Sequence, residues 1–178
     1  MAITPEVLLV NKEYIVKYTN MNASVDAELI DTCVILAQDT RVETAIGTQL
    51  MRAIKDGSYT TLLDDYVRRA VAWWTFAELL PHLYVKIEAG GLFMRSADNG
   101  EQVTPEEFRM TRNEAESKAR VYTKKLVDYI CANVDSFPEY NTNQFPDRSP
   151  QGDGYDKMRI RVSNGNRSTS NRGRDQYL

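Results

Sequence analysis

The sequence is poor in the residues from which most catalytic and metal-binding sites are built. It contains one histidine, His82, and two cysteines, Cys33 and Cys131, among 178 residues. One histidine supplies no ligand cluster, and two distant cysteines supply neither a zinc ligand set nor a disulfide framework. We interpret both cysteines as buried free thiols, because each lies in an apolar helical context. We therefore expect no catalytic, cofactor-binding or metal-binding residue, and no enzyme.

Long apolar runs are also missing. No run approaches the ~20 residues that a transmembrane helix needs. The opening MAITPEVLLV lacks the basic segment and the long apolar core of a signal peptide. The hydrophobic fraction of 42% and the charged fraction of 26% are ordinary for a soluble globular chain. We expect one domain, no membrane partner and a cytoplasm-like compartment.

What the sequence does contain is an acidic body and a basic end. The net charge of −3 divides into −8 over residues 1–156 and +5 over residues 157–178. Apolar residues become sparse after Phe137. We expect a helical domain over residues 1–136, with a loop excursion at 82–103. Residues 137–178 should form an extended assembly tail, which neighbouring copies or another protein would order.

Apolar spacing predicts a mainly α fold: a compact bundle of about four to five helices, with a projecting loop or hairpin and the extended tail. A helix capped by Ser24 should cover residues 25–40, because apolar residues recur there at helical spacing. Gly47 should mark a joint between this helix and the next. Asp56-Gly57 should end the second of them.

Two shorter signals precede these helices. Thr4-Pro5 has the pattern of a helix start, with threonine as the cap and proline at the first helical position. Residues 13–17 are rich in aromatic and β-branched side chains, so they fit either a short strand or one helical turn.

An aromatic-rich helix is predicted from Thr60 or Thr61, either of which could cap it, to the residue before Pro81. Trp73 and Trp74 lie in it. Adjacent helical residues point ~100° apart, so one ring should lie in the core and the other at a flank. The flanking ring would meet a second element or another subunit. We place Trp73 in an interface.

The segment 82–103 carries strong turn signals at Gly90-Gly91 and at residues 98–100, which favour a hairpin or a projecting loop. We place Phe93, within it, in an interface. Thr104 then begins a long helix, with proline at the first position and glutamate at the third. Its apolar residues follow a near-heptad spacing to about Val134. A helix of about 45 Å exceeds the needs of such a core, so one end should protrude or contact a neighbour.

The basic tail contains an alternating segment over residues 157–162. Apolar and basic side chains alternate there with a period of two, which suits a strand added to the edge of another chain's sheet. The charge could also be merely solvated, could dock on an acidic protein surface, or could contact nucleic acid. We expect these tail residues to lie in a subunit or partner interface: Tyr155, Met158, Arg159, Ile160, Arg161, Val162 and Tyr177.

Residues 25–54 resemble the opening of the head–tail connector, or adaptor, proteins of tailed bacteriophages, in particular those of crAss-like and other Bacteroidetes phages. The resemblance is carried by Ala37-Gln38 and by the step Ile46-Gly47-Thr48-Gln49-Leu50. The lead-in over residues 11–26 and the Trp73-Trp74 helix are also similar. The likeness covers residues 11–80, with a similar helix order to Val134.

The resemblance implies a structural virion protein at the head–tail junction, assembled in the bacterial host cytoplasm. Such a protein forms a ring, twelvefold in that family, below the portal protein. The ring extends the channel through which double-stranded DNA passes without specific binding, and it joins the head to neck or tail proteins. The alternative interpretation is a nucleic-acid-binding packaging or regulatory protein that uses the basic tail.

Overall fold

A computed structural model of the chain describes residues 6–88, 91–94 and 103–142, of which residues 86–88 and 91–94 are described by their backbone alone. The predicted fold class is confirmed, because the described part is mainly helical. If each helix that contains a π-helical turn is counted once, this part has six helices and one hairpin.

The described part of the chain begins with residues that have no regular secondary structure. Residues 6–8 are not helical, so a helix does not follow Thr4-Pro5 as predicted. Helix α1 spans Lys12–Tyr18, and the side chain of Asn11 caps it by accepting a hydrogen bond from the Tyr14 amide. The ambiguous segment at 13–17 is therefore helical.

The next helix is interrupted by a π-helical turn. Helix α2 spans Ala27–Ala37, the π-helical turn spans Gln38–Val42 and helix α3 spans Glu43–Ile46. The predicted cap at Ser24 is wrong: Asp26 occupies that position, and its carboxylate accepts a hydrogen bond from the Glu28 amide. The π-helical turn buries Gln38 and Val42.

Gly47 is the joint that the sequence predicts. Its backbone has φ 85° and ψ 149°, a combination available in practice only to glycine. Helix α4 follows at Thr48–Lys55 and buries Leu50, Met51 and Ile54. Gly57, at φ 90°, turns the chain after α4, which confirms the predicted end.

The aromatic-rich helix also contains a π-helical turn. Helix α5 spans Thr60–Leu62, the π turn spans Leu63–Val67 and helix α6 spans Arg68–Tyr84. No threonine side chain caps it. Tyr59 occupies the cap position with a left-handed backbone, φ 58° and ψ 45°.

Pro81 does not end α6, contrary to the prediction. The helix continues for three more residues, and the Val85 amide donates to the Pro81 carbonyl. A proline removes one helical hydrogen bond, at a cost that packing can offset. Here the Tyr84 ring stacks on Phe108, with the ring centroids 4.4 Å apart and the planes 19° apart.

Helix α6 is the centre of the bundle. It packs on α1, α2 and the long helix α7, which spans Pro105–Ala132. Both tryptophans are buried within the chain, with 8% of Trp73 and 6% of Trp74 exposed. Each ring meets a second element, which is one of the two alternatives that the sequence left open. Fully buried side chains of the core include Ile15, Ile30, Ile46, Leu50, Leu62, Leu79, Leu126 and Ile130.

A hairpin follows α6. Strand β1, Val85–Glu88, pairs antiparallel with strand β2, Gly91–Met94, in the register Val85–Met94 to Glu88–Gly91. This confirms the predicted hairpin near Gly90-Gly91, within the segment for which a loop or a hairpin was expected.

The fold continues past the boundary that we expected at residue 136. After α7 come a 3₁₀ turn at Val134–Ser136 and helix α8 at Pro138–Asn141. Phe137 is 5% exposed and Tyr140 is 4% exposed, and α8 packs on α4. The packed body therefore includes the first residues that we had placed in the tail.

Candidate interaction surface

The first feature is the set of contacts that holds residues 6–10, before α1, against the helices; we call it the clamp. The side-chain amide of Gln38 accepts a hydrogen bond from the Leu9 amide at 2.7 Å and donates one to the Val7 carbonyl at 3.1 Å. A residue in a parallel ladder makes the same pair of bonds to the two neighbours of the residue opposite it. The side chain of Gln38 thus reproduces the hydrogen bonds of one strand residue. It is fully buried.

Charged side chains complete this clamp. Arg68 of α6 donates from its Nε to the Leu9 carbonyl at 3.1 Å. Lys55 of α4 lies 3.7 Å from a Glu6 carboxylate oxygen and 3.3 Å from one of Asp39. The side chains of Leu9 and Val10 are buried, so three helices hold residues 6–10 through both backbone and packing contacts.

The second feature is a polar cover over Trp74. Its Nε1 donates to the Thr123 hydroxyl of α7 at 2.9 Å. The Arg41 guanidinium lies 4.8 Å from the ring centroid, within the range of a cation–π contact. Arg41 is itself held by Glu78, at 2.8 Å. These contacts connect the π turn after α2, helix α6 and helix α7 through one ring.

Trp73, which the sequence placed in an interface, is covered from within the chain. Its ring packs edge-on against Phe76, with centroids 6.1 Å apart. The Lys118 ammonium of α7 lies 4.7 Å from the ring centroid. Only the rim of the ring therefore reaches the surface, and the prediction that Trp73 contacts another subunit stays a prediction.

The third feature is the end of the bundle at which α7 begins. Buried residues of α7 begin at Ala115, so the ten residues before it contribute none. Val103 is 50% exposed and Met110 is 65% exposed. Among the described residues, the stacking of Phe108 on Tyr84 joins this stretch to α6. The hairpin leaves the body at the same end, directly after Tyr84.

Thr104 and Glu107 form a complete capping box at the start of α7. The Thr104 hydroxyl accepts from the Glu107 amide at 3.3 Å, and the Glu107 carboxylate accepts from the Thr104 amide at 2.9 Å. The hydrogen bonds that the Thr104 amide and hydroxyl donate to the carboxylate lower the pKa of Glu107 below its ordinary value of 4.5. The predicted cap is confirmed, and it fixes a helix end that packing leaves largely unsupported.

The fourth feature is the junction from which the tail departs. The Tyr59 hydroxyl donates to the Glu139 carboxylate at 2.7 Å, and its ring meets Phe137 at 5.1 Å. A left-handed backbone is uncommon for a tyrosine. Here two contacts with the α8 region hold it, so the turn before α5 and the root of the tail are fixed together.

Neither cysteine, both of which lie in the described ranges, is an exposed thiol. Burial, with a smaller effect from the charge of Glu78, raises the pKa of the Cys33 thiol to about 11, which keeps it protonated and unreactive at neutral pH. Cys131 is a partly buried free thiol. Within the described ranges, no group of three or more His, Cys, Asp or Glu residues could hold a metal ion.

In the part of the chain that the structure covers, no helix is both long and apolar enough to cross a membrane. Phe93 lies in β2 opposite Lys86. Outside the described residues lie Tyr155, Met158, Arg159, Ile160, Arg161, Val162 and Tyr177.

Comparison with known protein families places most of the chain in a single family. The model of the family of unknown function DUF6712 matches residues 14–150. The chain belongs to this family. No curated protein and no solved structure matches this DUF6712 chain. The matched region begins within α1 and extends past the end of α8.

Sequence reasoning missed the roles of four residues in this DUF6712 protein. Gln38 occupies a buried position next to the apolar stripe of α2, and a polar residue in such a position signals a satisfied hydrogen-bonding partner. The Arg41–Glu78 pair spans 37 positions, and no local pattern links them. The left-handed Tyr59 had no signal, since that conformation favours glycine or asparagine.

Proposed function

We propose that this DUF6712 protein is a structural virion protein that forms a ring below the portal of a tailed bacteriophage. It would extend the DNA channel and join the head to neck or tail components at the head–tail junction. The resemblance of residues 25–54 to connector proteins supports the proposal. Two residues of that resemblance have clear structural roles: Gln38 clamps the entering chain and Gly47 forms the joint between α3 and α4.

The observation that carries the proposal is the projecting end of the fold. Ten residues at the start of α7, about 15 Å of helix, bury no side chain and leave Met110 mostly exposed. A single chain gains little stability from such an extension. An assembly gains a surface on which neighbouring copies, the portal protein and neck proteins can pack.

The charge of the body also supports the proposal. Residues 1–156 carry a net charge of −8. Affinity for DNA comes mainly from basic side chains that neutralise phosphates. An acidic channel wall would repel the passing duplex, so DNA could move through the ring without specific binding.

The direct test is to mix the purified chain with the portal protein of the phage that encodes it and to image the product by cryo-electron microscopy. We expect a ring of copies, twelve if the resemblance holds, attached to the portal and coaxial with its channel. A product in which the portal binds no ring would contradict the proposal.

A truncation separates assembly from folding. Deleting residues 151–178 should block ring formation, while the circular-dichroism spectrum of the helical body remains unchanged, because no described element includes those residues. The full-length chain is the control. If the truncated chain forms the same ring, the tail has no role in assembly.

The alternative is a nucleic-acid-binding packaging or regulatory protein. The observation that favours it is the net charge of +5 over residues 157–178. Such binding should weaken steeply as salt rises, because bound counterions are released from the phosphates. Fluorescence anisotropy with a labelled duplex at 50 and 200 mM salt, about a fourfold range, tests it. An absence of binding at low salt removes this alternative.

A further inference from the structure

We infer that the chain folds back after α8 and that Phe145 seats in a recess beside the start of α5. The recess is lined by residues 59–62, by Tyr129 of α7, and by Ser136 and Phe137. We call it the tail-root recess, because α8 and the tail follow directly after its last lining residue. The occupant belongs to the same chain, so the inference is independent of the proposed ring.

The walls of the tail-root recess are aromatic. The rings of Tyr59 and Phe137 meet edge-on with their centroids 5.1 Å apart, and the Tyr129 ring lies 6.1 Å from that of Phe137. Tyr59 and Tyr129 are half-buried, so the described residues leave part of each side chain uncovered. Aromatic rings pack edge-on or offset, with centroids about 4.5–7 Å apart. A further aromatic ring therefore extends this cluster.

Size and charge select the kind of occupant. The recess has a volume of about 310 Å³, and none of the described residues that line it is charged. Sites for drug-sized ligands begin at about 300 Å³, so the recess suits one large side chain rather than a length of peptide. An uncharged site offers nothing to offset the desolvation of a charged group. This argues against the basic side chains of residues 157–178 as occupants.

The chain that follows α8 brings one suitable side chain within reach. The Thr142 amide donates to the Pro138 carbonyl at 3.0 Å, so Thr142 lies one helical turn, about 5 Å, beyond the residue that follows Phe137. Three residues of extended chain span about 10 Å, which is enough to bring Phe145 back over that turn. Prolines apart, Phe145 is the one large apolar residue in the sequence from 141 to 154.

The extent of the family match supports a place for this segment in the fold. The match runs to residue 150, whereas α8 ends at Asn141. Residues 143–150 therefore belong to the region that the family model covers, and residues 157–178 do not. An otherwise polar segment holds to the body through its apolar side chain, because burial of apolar area is the dominant favourable term in such contacts.

Seating Phe145 fixes the point from which the tail departs. Residues 143–145 then run back along α8, and Pro146 keeps residue 145 extended. The contacts of Tyr59 with Glu139 and Phe137 already hold one wall of the recess in place. Residues 151–178 consequently leave the body beside α5 rather than from the end of α8.

Nuclear magnetic resonance of the full-length chain tests the contact. We expect nuclear Overhauser cross-peaks between the ring protons of Phe145 and the methyl groups of Thr61 and Leu62. Phe145→Ala should abolish these cross-peaks, which distinguishes them from cross-peaks of Phe137. It should also shift the amide resonances of residues 60–62, because the ring current of Phe145 is lost.

Tyr155→Ala is the matched control, because it removes the next aromatic side chain along the tail. It should leave the cross-peaks and the amide resonances of residues 60–62 unchanged. Absence of the cross-peaks in the unaltered chain, or their survival in Phe145→Ala, would overturn the inference. Cross-peaks between differently labelled chains in a mixture would also overturn it, since they come from Phe145 of another copy. A portal-bound ring whose chains lack the cross-peaks retains the proposed function and removes this contact.

Discussion

The two halves of α7 belong to one uninterrupted helix but depend on different forces. From Ala115 to Ile130 the helix buries one stripe against α6 and the preceding π turn. From Pro105 to Glu114 no side chain is fully buried, although Phe108 and Arg112 are half-buried, and a capping box and one aromatic stack support it. Local hydrogen bonds and one aromatic stack stabilise residues 105–114, whereas burial in the hydrophobic core stabilises residues 115–130.

This difference indicates which residues of α7 can be substituted without unfolding the protein. Burial of a large aliphatic side chain contributes about 2 kcal/mol, whereas a cap contributes about 1 kcal/mol. Substitutions in the packed half should change global stability, and substitutions in the projecting half should change only the local helix end. The projecting half is therefore free to be shaped by partners.

The largest effect should come from a direct comparison of the two halves. Leu126→Ala empties a fully buried position and should lower the free energy of unfolding by about 3 kcal/mol. Met110→Ala, in the projecting half, should change it by less than about 0.5 kcal/mol. Urea denaturation followed by circular dichroism measures both. Equal losses would mean that the projecting half is part of the core.

The clamp on residues 6–10 should give the next largest effect. Gln38→Ala leaves the Val7 carbonyl and the Leu9 amide without their partner. Buried groups left unpaired make the expected loss about 2 kcal/mol. The control is Thr40→Ala, two positions away and exposed, which should cost much less. Urea denaturation should be accompanied by faster amide exchange at Leu9, and unchanged exchange there would contradict the clamp.

A smaller effect should come from the polar cover of Trp74. Trp74→Phe removes the hydrogen bond to Thr123 and should cost about 1 kcal/mol. A double-mutant cycle with Thr123→Val isolates the shared bond, because the two losses should not add. Fully additive losses in thermal or urea unfolding would show that the bond contributes nothing.

The smallest effect should be at the capping box. Thr104→Ala should fray the first turn of α7 and leave global unfolding almost unchanged. The folded-state pKa of Glu107 is lowered. The stability that its ionised carboxylate gives the helix end is therefore present above the ordinary value of 4.5, and it is lost as the pH falls through the lower folded value. Amide exchange at Glu107, read by nuclear magnetic resonance across this range, tests it. Asn113→Ala, at an exposed position of the same helix, is the control, and its exchange at Glu107 should match that of the unaltered chain.

Much of this fold could be predicted from local sequence. The Thr104 cap, the Gly47 joint, the hairpin and the buried stripe of α7 follow from signals within a few residues. The ion pairs Glu114–Lys118 and Glu116–Arg120 join residues four positions apart on α7. Each of these features depends on propensity, periodicity or backbone conformation, all of which act at short range.

The features that could not be predicted depend on contacts that are distant in sequence. Pro81 was expected to end its helix, but the stack of Tyr84 on Phe108 supports one more turn. Across the π turn at Leu63–Val67 the buried positions step by five residues, from Leu62 to Val67, which a fixed 3.6-residue period does not represent. Of the candidate interface residues, Trp73 is mostly enclosed by Phe76 and Lys118, a contact that periodicity does not reveal.

The clamp at Gln38 has a mechanical consequence. Three helical elements each hold one residue of the segment. Lys55 of α4 contacts Glu6, Gln38 of the π turn after α2 bonds to Val7, and Arg68 of α6 bonds to Leu9. A force applied to the start of this segment is divided among three helices at once. When the force acts along the segment, the attachments are loaded together rather than one after another. Residues 6–10 are thus an anchor suited to bearing load, although no sheet holds them.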